Sequence, residues 1–413
     1  SAALARFYKQ LTNHRLDLST APTNNTFSTF LMKTNTFYIA ALMGTATLAQ
    51  AEYQIGDAGA LAIGLDASVQ STDNVTMDSS ADSDTITSLL PNLNYKSDAG
   101  AMSIEAFVGQ EIITYSDLSE NDSEDFKSNI KLSFPDELAG ENFSLVLEGG
   151  VNEFTRAVTS QAGQGRVVST EATDLSLDAR YYIDEYTTLR VGATQREQES
   201  QTAGYFDVET LTIPVAVYFD LDDSISVGFG YRQRMSEVDS LVATEAADSD
   251  DQAFFLGLEN ELSSIWSYTL ELGYQQREFD NAAFDDEDGL FASFELNWQL
   301  SDMSQLSAEL SNEFGTTLAN QSSETARAAV QLNHTFDERI SAALGLSFEE
   351  VNYEQLSGSR EDELFSSFLT IDYQLLEGKW VLRGSVSYDD SSSSAAAANY
   401  DAVRSGISSI VIF

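Results

Sequence analysis

Charged side chains in this chain recur at alternate positions, within segments whose intervening positions are apolar. Because successive side chains of an extended strand point to opposite faces, each segment would carry its charges on one face only. Acids and bases gathered on one face attract, repel and orient ions and polar solutes. The charges in this phase that we predict to line a pore are Lys127, Lys131, Arg180, Arg190, Arg232, Arg234, Arg383, Glu259, Glu271, Glu295 and Glu309.

These charges are unevenly distributed along the chain. Bases concentrate between Arg180 and Arg234, and acids between Glu259 and Glu313. If the two groups faced each other across a lumen, they would set up a lateral field that orients passing solutes. The alternative, that they pair with each other and fill the lumen, stays open at this point.

Covalent catalysis has few candidate groups here. The chain has no Cys and two His, and a Ser or water nucleophile needs a base. His334 follows Ala326, Ala328, Val330 and Leu332 in the apolar phase of its segment. This position predicts an interfacial residue rather than a base, and we expect no enzyme activity.

The composition excludes further classes. The chain has 413 residues, 66 Asp+Glu against 21 Lys+Arg, and a formal net charge of −45, which argues against binding to nucleic acid. The absence of Cys excludes disulfide scaffolds and thiolate zinc sites. With 42% hydrophobic residues, 24 Phe and 17 Tyr, the chain is also too apolar for a solvated coil.

Acidic runs fall between the alternating segments, for example 122–125, 248–251 and 285–288. They could hold divalent cations at an anionic lipid surface. The run at 285–288 has Phe284 where a calcium loop needs its first ligand, so solvated charge is the preferred interpretation. We expect no cofactor and no dedicated metal site.

The N-terminal part reads as a targeting segment. Met32 and Lys33 precede an apolar run of about 15 residues, which is too short for a membrane-spanning helix. Ala49 and Ala51 form a small-x-small cleavage site. We expect an upstream extension at 1–31, a signal peptide at 32–51, and one domain at 52–413.

Beyond residue 60 the dominant period is two, which is typical of strands with unlike faces. About 18 segments of ten to fourteen residues alternate in this way, a count of 16 remains open, and each has the length of a tilted strand that crosses a bilayer. The sequence predicts an all-β fold, a transmembrane antiparallel up-and-down barrel.

The links between these segments are of two kinds. Short links are expected at 96–100, 183–186, 220–224, 336–339 and 376–379, and long polar links at 71–84, 156–170, 237–251, 278–288 and 388–398. Short turns at one end and long loops at the other are typical of outer-membrane barrels. Both termini would then lie on the periplasmic, short-turn side.

A soluble sandwich or solenoid would also alternate. The strand count and a gathering of aromatic residues near strand ends favour the membrane barrel, because interfacial girdles require such residues. The aromatic residues in question are Tyr95, Tyr115, Phe134, Tyr181, Phe219, Trp266, Trp298, Phe336, Trp380 and Tyr388.

The chain ends in an alternating strand with Ile407, Ser409, Val411 and a terminal Phe413. This end resembles the C-terminal strand by which the barrel-assembly machinery recognises outer-membrane proteins. We therefore expect that machinery as a partner.

The opening hairpin carries a family resemblance. Its residues are 65–69 (LDASV) and 72–75 (TDNV), followed by 90–95 (LPNLNY). They resemble the start of the outer-membrane β-barrel porin type 2 family, some members of which accompany exopolysaccharide export. The repeated hairpins and the terminal Phe413 extend the resemblance over most of 59–413. The resemblance implies an outer-membrane barrel with a pore and carries no catalytic residues.

Two functions remain open. The first is a porin-like channel for passive diffusion of small hydrophilic solutes or ions across the outer membrane of a diderm bacterium. The second is a non-conducting barrel that assists exopolysaccharide export or envelope assembly, its lumen filled by paired side chains or by an inward-folded loop at 156–170 or 237–251. Lipid and lipopolysaccharide would surround either barrel, and monomer and homotrimer both remain open.

Overall fold

The computed structural model describes residues 52–54, 59–98, 102–134, 142–157, 165–222, 224–239, 246–263, 265–355, 358–376 and 379–412. The expected upstream extension, the signal peptide with Ala49 and Ala51, and the terminal Phe413 lie outside the described residues. Among the described residues, no helix is long and apolar enough to cross a membrane.

Eighteen antiparallel strands form a closed barrel, and a short strand precedes them. Each strand pairs with the next along the chain, and the last pairs with β2 to close the sheet. The predicted up-and-down barrel of about 18 strands is confirmed. The strands are β1 Glu52–Gln54, β2 Ala60–Thr72, β3 Asp84–Asp98, β4 Ser103–Tyr115, β5 Ser123–Phe134, β6 Phe143–Ala157, β7 Val167–Asp184, β8 Thr187–Ser200, β9 Asp207–Asp220, β10 Ile225–Asp239, β11 Ser249–Ser263, β12 Trp266–Phe279, β13 Glu287–Ser301, β14 Ser304–Thr317, β15 Gln321–Thr335, β16 Ile340–Gln355, β17 Gly358–Leu375, β18 Trp380–Ser393 and β19 Tyr400–Ile412.

The register keeps the apolar phase of every strand on one face of the sheet. Ile63 lies opposite Leu93, and Leu93 lies opposite Val108. The same phase continues around the barrel and returns at β19, where Ile407 lies opposite Val69. The large apolar side chains of this face are exposed, which a water-soluble protein would avoid and a lipid-facing surface requires.

The two ends of the barrel differ. The turn end carries short links, such as 185–186, 221–224 and 336–339, and it also carries the start of β2 and the end of β19. Aspartates build two of these turns: Asp222 Oδ1 accepts from the N–H of Ser224 at 2.8 Å, and Asp337 Oδ1 accepts from the N–H of Arg339 at 2.7 Å. The opposite end is the loop end.

Links at the loop end are shorter than the sequence suggested. β6 and β7 continue into the expected loop at 156–170, and β10 and β11 continue into the one at 237–251. The expected loop at 388–398 is strand as far as Ser393. Polar residues there had indicated loop, but neighbouring strands satisfy the backbone hydrogen bonds beyond the apolar band, so pairing simply continues.

The seam between β19 and β2 closes the barrel. Ser409 lies opposite Ala67 and Val411 opposite Leu65. Trp380 donates from Nε1 to Ser409 Oγ at 2.9 Å, which buries that hydroxyl. β1 pairs with Ala60–Ala62 of β2, on the edge that β19 leaves unpaired.

Aromatic residues of the outer face gather near the turn end. Trp266 lies directly opposite Trp298 in the register, and Phe219 stacks near Phe229 with ring centroids 6.4 Å apart. Tyr115 is an exception to the sequence prediction. Tyr115 lies on the inner face of β4. It stands an even number of residues from the inward Glu105 and an odd number from the outward Val108.

Candidate functional site: the barrel lumen

The concave face of the sheet carries the charges selected from the sequence. Side chains of non-neighbouring strands can meet only on that face, and Arg190 of β8 reaches Glu259 of β11 there. The same phase includes Lys127 and Lys131 of β5, Arg180 of β7, Arg232 and Arg234 of β10, Glu271 of β12, Glu295 of β13, Glu309 of β14 and Arg383 of β18. That these side chains control the passage of solutes is a prediction.

The pair of Arg190 and Glu259 spans the two strands between them. Both terminal guanidinium nitrogens of Arg190 contact the Glu259 carboxylate, Nη2 at 2.5 Å. The Arg190 guanidinium also lies 4.4 Å from the Tyr218 ring centroid, and the Tyr218 hydroxyl donates to Glu271 at 3.2 Å. Bidentate pairing and ring stacking hold all four side chains against the wall.

Glycines allow aromatic rings to lie flat against this wall. A Cβ on Gly230 would lie 2.2 Å from the Phe255 ring, and one on Gly257 would lie 2.6 Å from the Tyr218 hydroxyl. Tyr218, Phe255 and Phe291 are buried with small neighbours in one cluster. One apolar cluster inside the barrel therefore lies along β9–β13.

A second set of ion pairs runs from β10 to β14. Arg232 contacts Glu313 at 3.0 Å, and Arg234 contacts the same carboxylate at 2.7 Å. Arg234 also donates to the carbonyl of Phe314, and Arg232 stacks on Phe291 at 4.4 Å. Bases and acids that the sequence separates are thus paired along the wall from β8 to β14, as in the second of the two arrangements left open above.

Among the described residues, Arg277 is the most deeply buried charge of the lumen, with 0% of its side chain exposed. It donates to both oxygens of Asp251 at 2.6 Å, to the carbonyl of Gly315 at 2.7 Å and to Ser322 Oγ at 2.7 Å. Sequence reasoning missed it because it borders an expected loop. Arg277 stands an even number of residues from Glu271 on β12, so the same alternation predicts that both face the lumen.

A hairpin crosses the loop end of the lumen. β14 pairs with β13 only as far as Asn312. Residues 313–323, which comprise the end of β14, the link and the start of β15, are here called the crossing hairpin. The N–H of Phe206 donates to the carbonyl of Leu318 at 2.8 Å, and the N–H of Ala247 donates to Asn320 Oδ1 at 2.8 Å.

Apolar contacts fix the tip of the crossing hairpin. Leu318 packs with Val208 and Val238 in a buried cluster, against which Tyr205 and Phe206 lie. The sequence had offered 156–170 and 237–251 as segments that could fold inward. The middle of each segment, 158–164 and 240–245, lies outside the described residues. A three-residue link, 318–320, folds inward, and Val238 and Ala247 of the second segment contact it.

Polar groups of the lumen differ in burial between the two ends of the barrel. At the loop end Thr72, Asp84, Asp251, Ser322 and Asp362 are buried. At the turn end the ion pair of Lys96 and Glu105 leaves side chains 73% and 53% exposed. The described part of the lumen is thus open to water at the turn end and partly covered at the loop end.

Two cavities in the described part of the lumen contain predicted or charged residues. One of about 640 Å³ lies at the loop end beside the crossing hairpin, and Tyr115 and Leu318 are among the side chains that line it. The other, of about 310 Å³, is lined by Glu295, Glu309 and Arg327. Glu295 and Glu309 lie directly opposite each other in the register, so two selected acids share one site.

The acids of the loops bind backbone groups. Asp84 accepts from the N–H of Leu118 at 2.9 Å, Asp125 from that of Thr155 at 2.9 Å, and Asp248 from that of Val238 at 2.7 Å. Within the described residues no group of three His, Asp or Glu side chains is placed to hold a metal ion. These carboxylates therefore accept hydrogen bonds from backbone N–H groups and so stabilise the conformation at the loop end.

His334 lies on the outer face near the turn end. Its Nδ1 is 2.8 Å from Ser304 Oγ, and the Phe336 ring packs edge-on against it at 4.5 Å. A Ser and a His in contact could suggest a nucleophile and its base. The pair faces the side of the sheet that carries the exposed apolar residues, away from the lumen.

A closed antiparallel barrel with an apolar outer face and a charged lumen defines a porin-type membrane barrel. The family described as "Putative beta-barrel porin 2" matches residues 225–411, which confirms the family resemblance over that part of the chain. The opening hairpin that first suggested the resemblance lies outside the matched residues. No curated protein matches the chain.

Solved barrels from Pseudomonas aeruginosa have a similar course. OpdK, solved with vanillate, is 9% identical with a TM-score of 0.47 over 86% of this chain and 99% of its own. OccK2 (OpdF) is 12% identical with a TM-score of 0.47 over 86% and 98%. The siderophore receptor PirA is 10% identical with a TM-score of 0.42 over 85% and 80%.

Proposed function

We propose that the protein is an outer-membrane channel through which small hydrophilic solutes or ions diffuse passively. The observation that carries this proposal is the set of lumen charges within a closed barrel of 18 strands, a size at which barrels enclose water. The match to a porin family over 225–411 supports it. Arg and Glu side chains of the inner face would set the selectivity.

The orientation follows from the two ends of the barrel. The turn end, where β2 begins and β19 ends, would face the periplasm, and the loop end would face lipopolysaccharide outside the cell.

For assembly, the alternating strand with Ile407, Ser409, Val411 and Phe413 would be recognised by the barrel-assembly machinery. A signal peptide cleaved after Ala51 would export the chain. The barrel would act as a monomer or a homotrimer.

Single-channel recording in a planar bilayer tests the channel. The refolded protein should give stepwise openings in KCl. Reversing both Arg232 and Arg234 to Glu should shift the reversal potential toward cation selectivity, because two positive charges of the lumen become negative. Unchanged selectivity would show that these two side chains do not lie along the conducting path.

The second candidate is a non-conducting barrel that assists exopolysaccharide export or envelope assembly. The crossing hairpin favours it, since this segment caps the lumen with buried hydrogen bonds around Arg277 and Ser322. A folded protein that inserts into the bilayer and stays silent would support this function. Removal of 316–321 separates the two cases: a channel with a narrow mouth gains conductance, whereas a lumen filled along its length does not.

A further inference from the structure

The cavity of about 640 Å³ at the loop end, here called the arginine cavity, has an unusual lining. Its wall comes from inward side chains of β2, β3, β4, β6, β7, β8 and β19, which adjoin in the barrel except at β5. Met77 of the link between β2 and β3 bounds it, as does Leu318 of the crossing hairpin. The cavity stays open to water, since Arg156 and Arg196 are both exposed.

Charge distinguishes this cavity from the rest of the molecule. Arg156, Arg196 and Arg404 line it, and none of the described residues that line it is acidic, although the chain contains 66 Asp and Glu. Three guanidinium groups on one stretch of wall, with no carboxylate among the lining residues, would attract an anion to this cavity.

Contacts with residues outside the cavity or with an aromatic ring position the three arginines. Arg196 contacts Asp174 at 2.7 Å and Arg404 contacts Asp389 at 3.2 Å, and neither acid lines the cavity. Within the described residues, Arg156 stacks on the Phe154 ring at 4.9 Å and has no carboxylate partner. A guanidinium has five N–H donors, so each of the three keeps donors for a ligand.

The remaining lining is largely apolar or neutral. Ile86, Tyr115, Phe154, Val168 and Leu318 offer apolar and aromatic surface next to the guanidinium groups. Pockets of this volume bury most of a small organic molecule, with a few polar groups that fix its orientation. The combination suits a ligand with an apolar body and one anionic group.

We propose that the arginine cavity binds small organic carboxylates, with the carboxylate on the guanidinium groups and the apolar body against Phe154, Tyr115 and Leu318. This inference rests on the proposed channel function and names its substrate class: the site would concentrate such anions at the loop end, where solutes enter. Arginine and carboxylate match in planar geometry, which favours bidentate binding.

Equilibrium dialysis of the refolded full chain in detergent tests the site without requiring conduction. The probe is benzoate, and benzyl alcohol serves as the uncharged ligand of similar shape. Benzoate should bind saturably, and benzyl alcohol should not displace it. Arg156→Gln should weaken benzoate binding about tenfold, because a charge-assisted hydrogen bond is lost. Arg339→Gln, which removes an equal charge from an exposed turn, should leave binding unchanged.

The results separate this proposal from the channel. Benzoate binding that Arg156→Gln weakens supports the site even if the protein proves silent in a bilayer. Equal displacement by benzyl alcohol, or equal binding by the Arg156 and Arg339 variants, would overturn the site while conductance could still establish the channel. The shift in gel mobility of folded barrels on heating verifies that each variant is folded. If Arg156→Gln fails to fold, Arg404→Gln takes its place.

Discussion

Phe206 and Leu318 are joined by a backbone hydrogen bond of 2.8 Å, although Phe206 precedes β9 and Leu318 follows β14. This contact connects two loop-end links across the mouth of the barrel. It therefore determines how much of the lumen is covered, and it offers a way to control the cover experimentally.

A disulfide between these positions should lock the crossing hairpin. The chain has no Cys, so Phe206→Cys with Leu318→Cys creates one pair only. We expect the oxidised double variant to conduct less than its reduced form, because the hairpin can no longer move from the mouth. Single-channel recording before and after a reducing agent measures the change. The single variant Leu318→Cys is the control, and equal conductance in both redox states would show that the hairpin does not limit flow.

Removal of the Arg277 guanidinium should strongly destabilise the barrel. Arg277→Met leaves Asp251 buried without its partner, at a cost of about 3 to 5 kcal/mol. Arg383→Met is the matched control, since Arg383 pairs with Asp372 but keeps 42% of its side chain exposed. That change should cost about 0 to 1 kcal/mol. Urea unfolding of both variants in lipid vesicles measures the difference, and equal losses would contradict the structural role of Arg277.

The facing acids Glu295 and Glu309 should favour cations on the turn-end side. Changing both to Gln removes two negative charges from one cavity, so the preference for cations should fall. The reversal potential in a KCl gradient reports this change. Glu338→Gln, in the exposed turn at 336–339, should have no such effect. A similar shift in both variants would indicate a general charge effect rather than a lumen site.

Order in the link from 73 to 83 should depend on pH through Asp78. Burial raises the pKa of Asp78, but hydrogen bonds from the Ser80 hydroxyl and N–H outweigh it, so the pKa lies below its ordinary value. A lowered pKa means that the carboxylate stabilises the link above the ordinary value of about 3.9. This contribution is lost as the pH falls through the lowered pKa.

Amide exchange at Ser80 measures that effect. Protection relative to the unfolded chain should fall as Asp78 becomes protonated. Asp78→Asn should show weak protection at every pH. Protection that stays constant in the unmodified chain down to strongly acidic pH would show that the carboxylate does not hold the link.

A charge on the outer face should destabilise the barrel in a bilayer. Leu256 is 71% exposed at the middle of β11, so Leu256→Arg would place a guanidinium in hydrocarbon at about 2 to 4 kcal/mol. Ser347 lies at a similar height on β16 and lines a lumen cavity, so Ser347→Arg should cost little. Urea unfolding in vesicles compares them. If the two substitutions cost the same, the outer face does not contact lipid.

The period of two predicted the fold because it is a local property of each strand. Alternation alone predicts that Ile63 faces outward and Arg190 inward, without knowledge of the strand pairing. The register of the strands agrees with both orientations. Tyr115 was misplaced since an aromatic residue at a strand end suits either an interfacial girdle or a cavity wall. Only its phase relative to Val108 distinguishes the two.

Contacts between distant strands could not be read in the same way. The pair of Arg232 and Glu313 depends on how strongly the sheet curves between β10 and β14, which no single segment encodes. The crossing hairpin depends on a contact between Leu318, in a link, and Val238, near the end of β10. Each of these residues is unremarkable in the sequence, and the barrel alone brings them together.

The crossing hairpin also has a consequence for assembly. Its contact between Phe206 and Leu318 closes a long segment of chain, and such contacts carry a large loop-closure cost until the intervening strands are paired. We therefore expect the tip to dock only after the strands between β9 and β14 have joined. The nascent barrel would insert with its mouth uncovered, and protection of the Phe206 amide would mark the end of maturation.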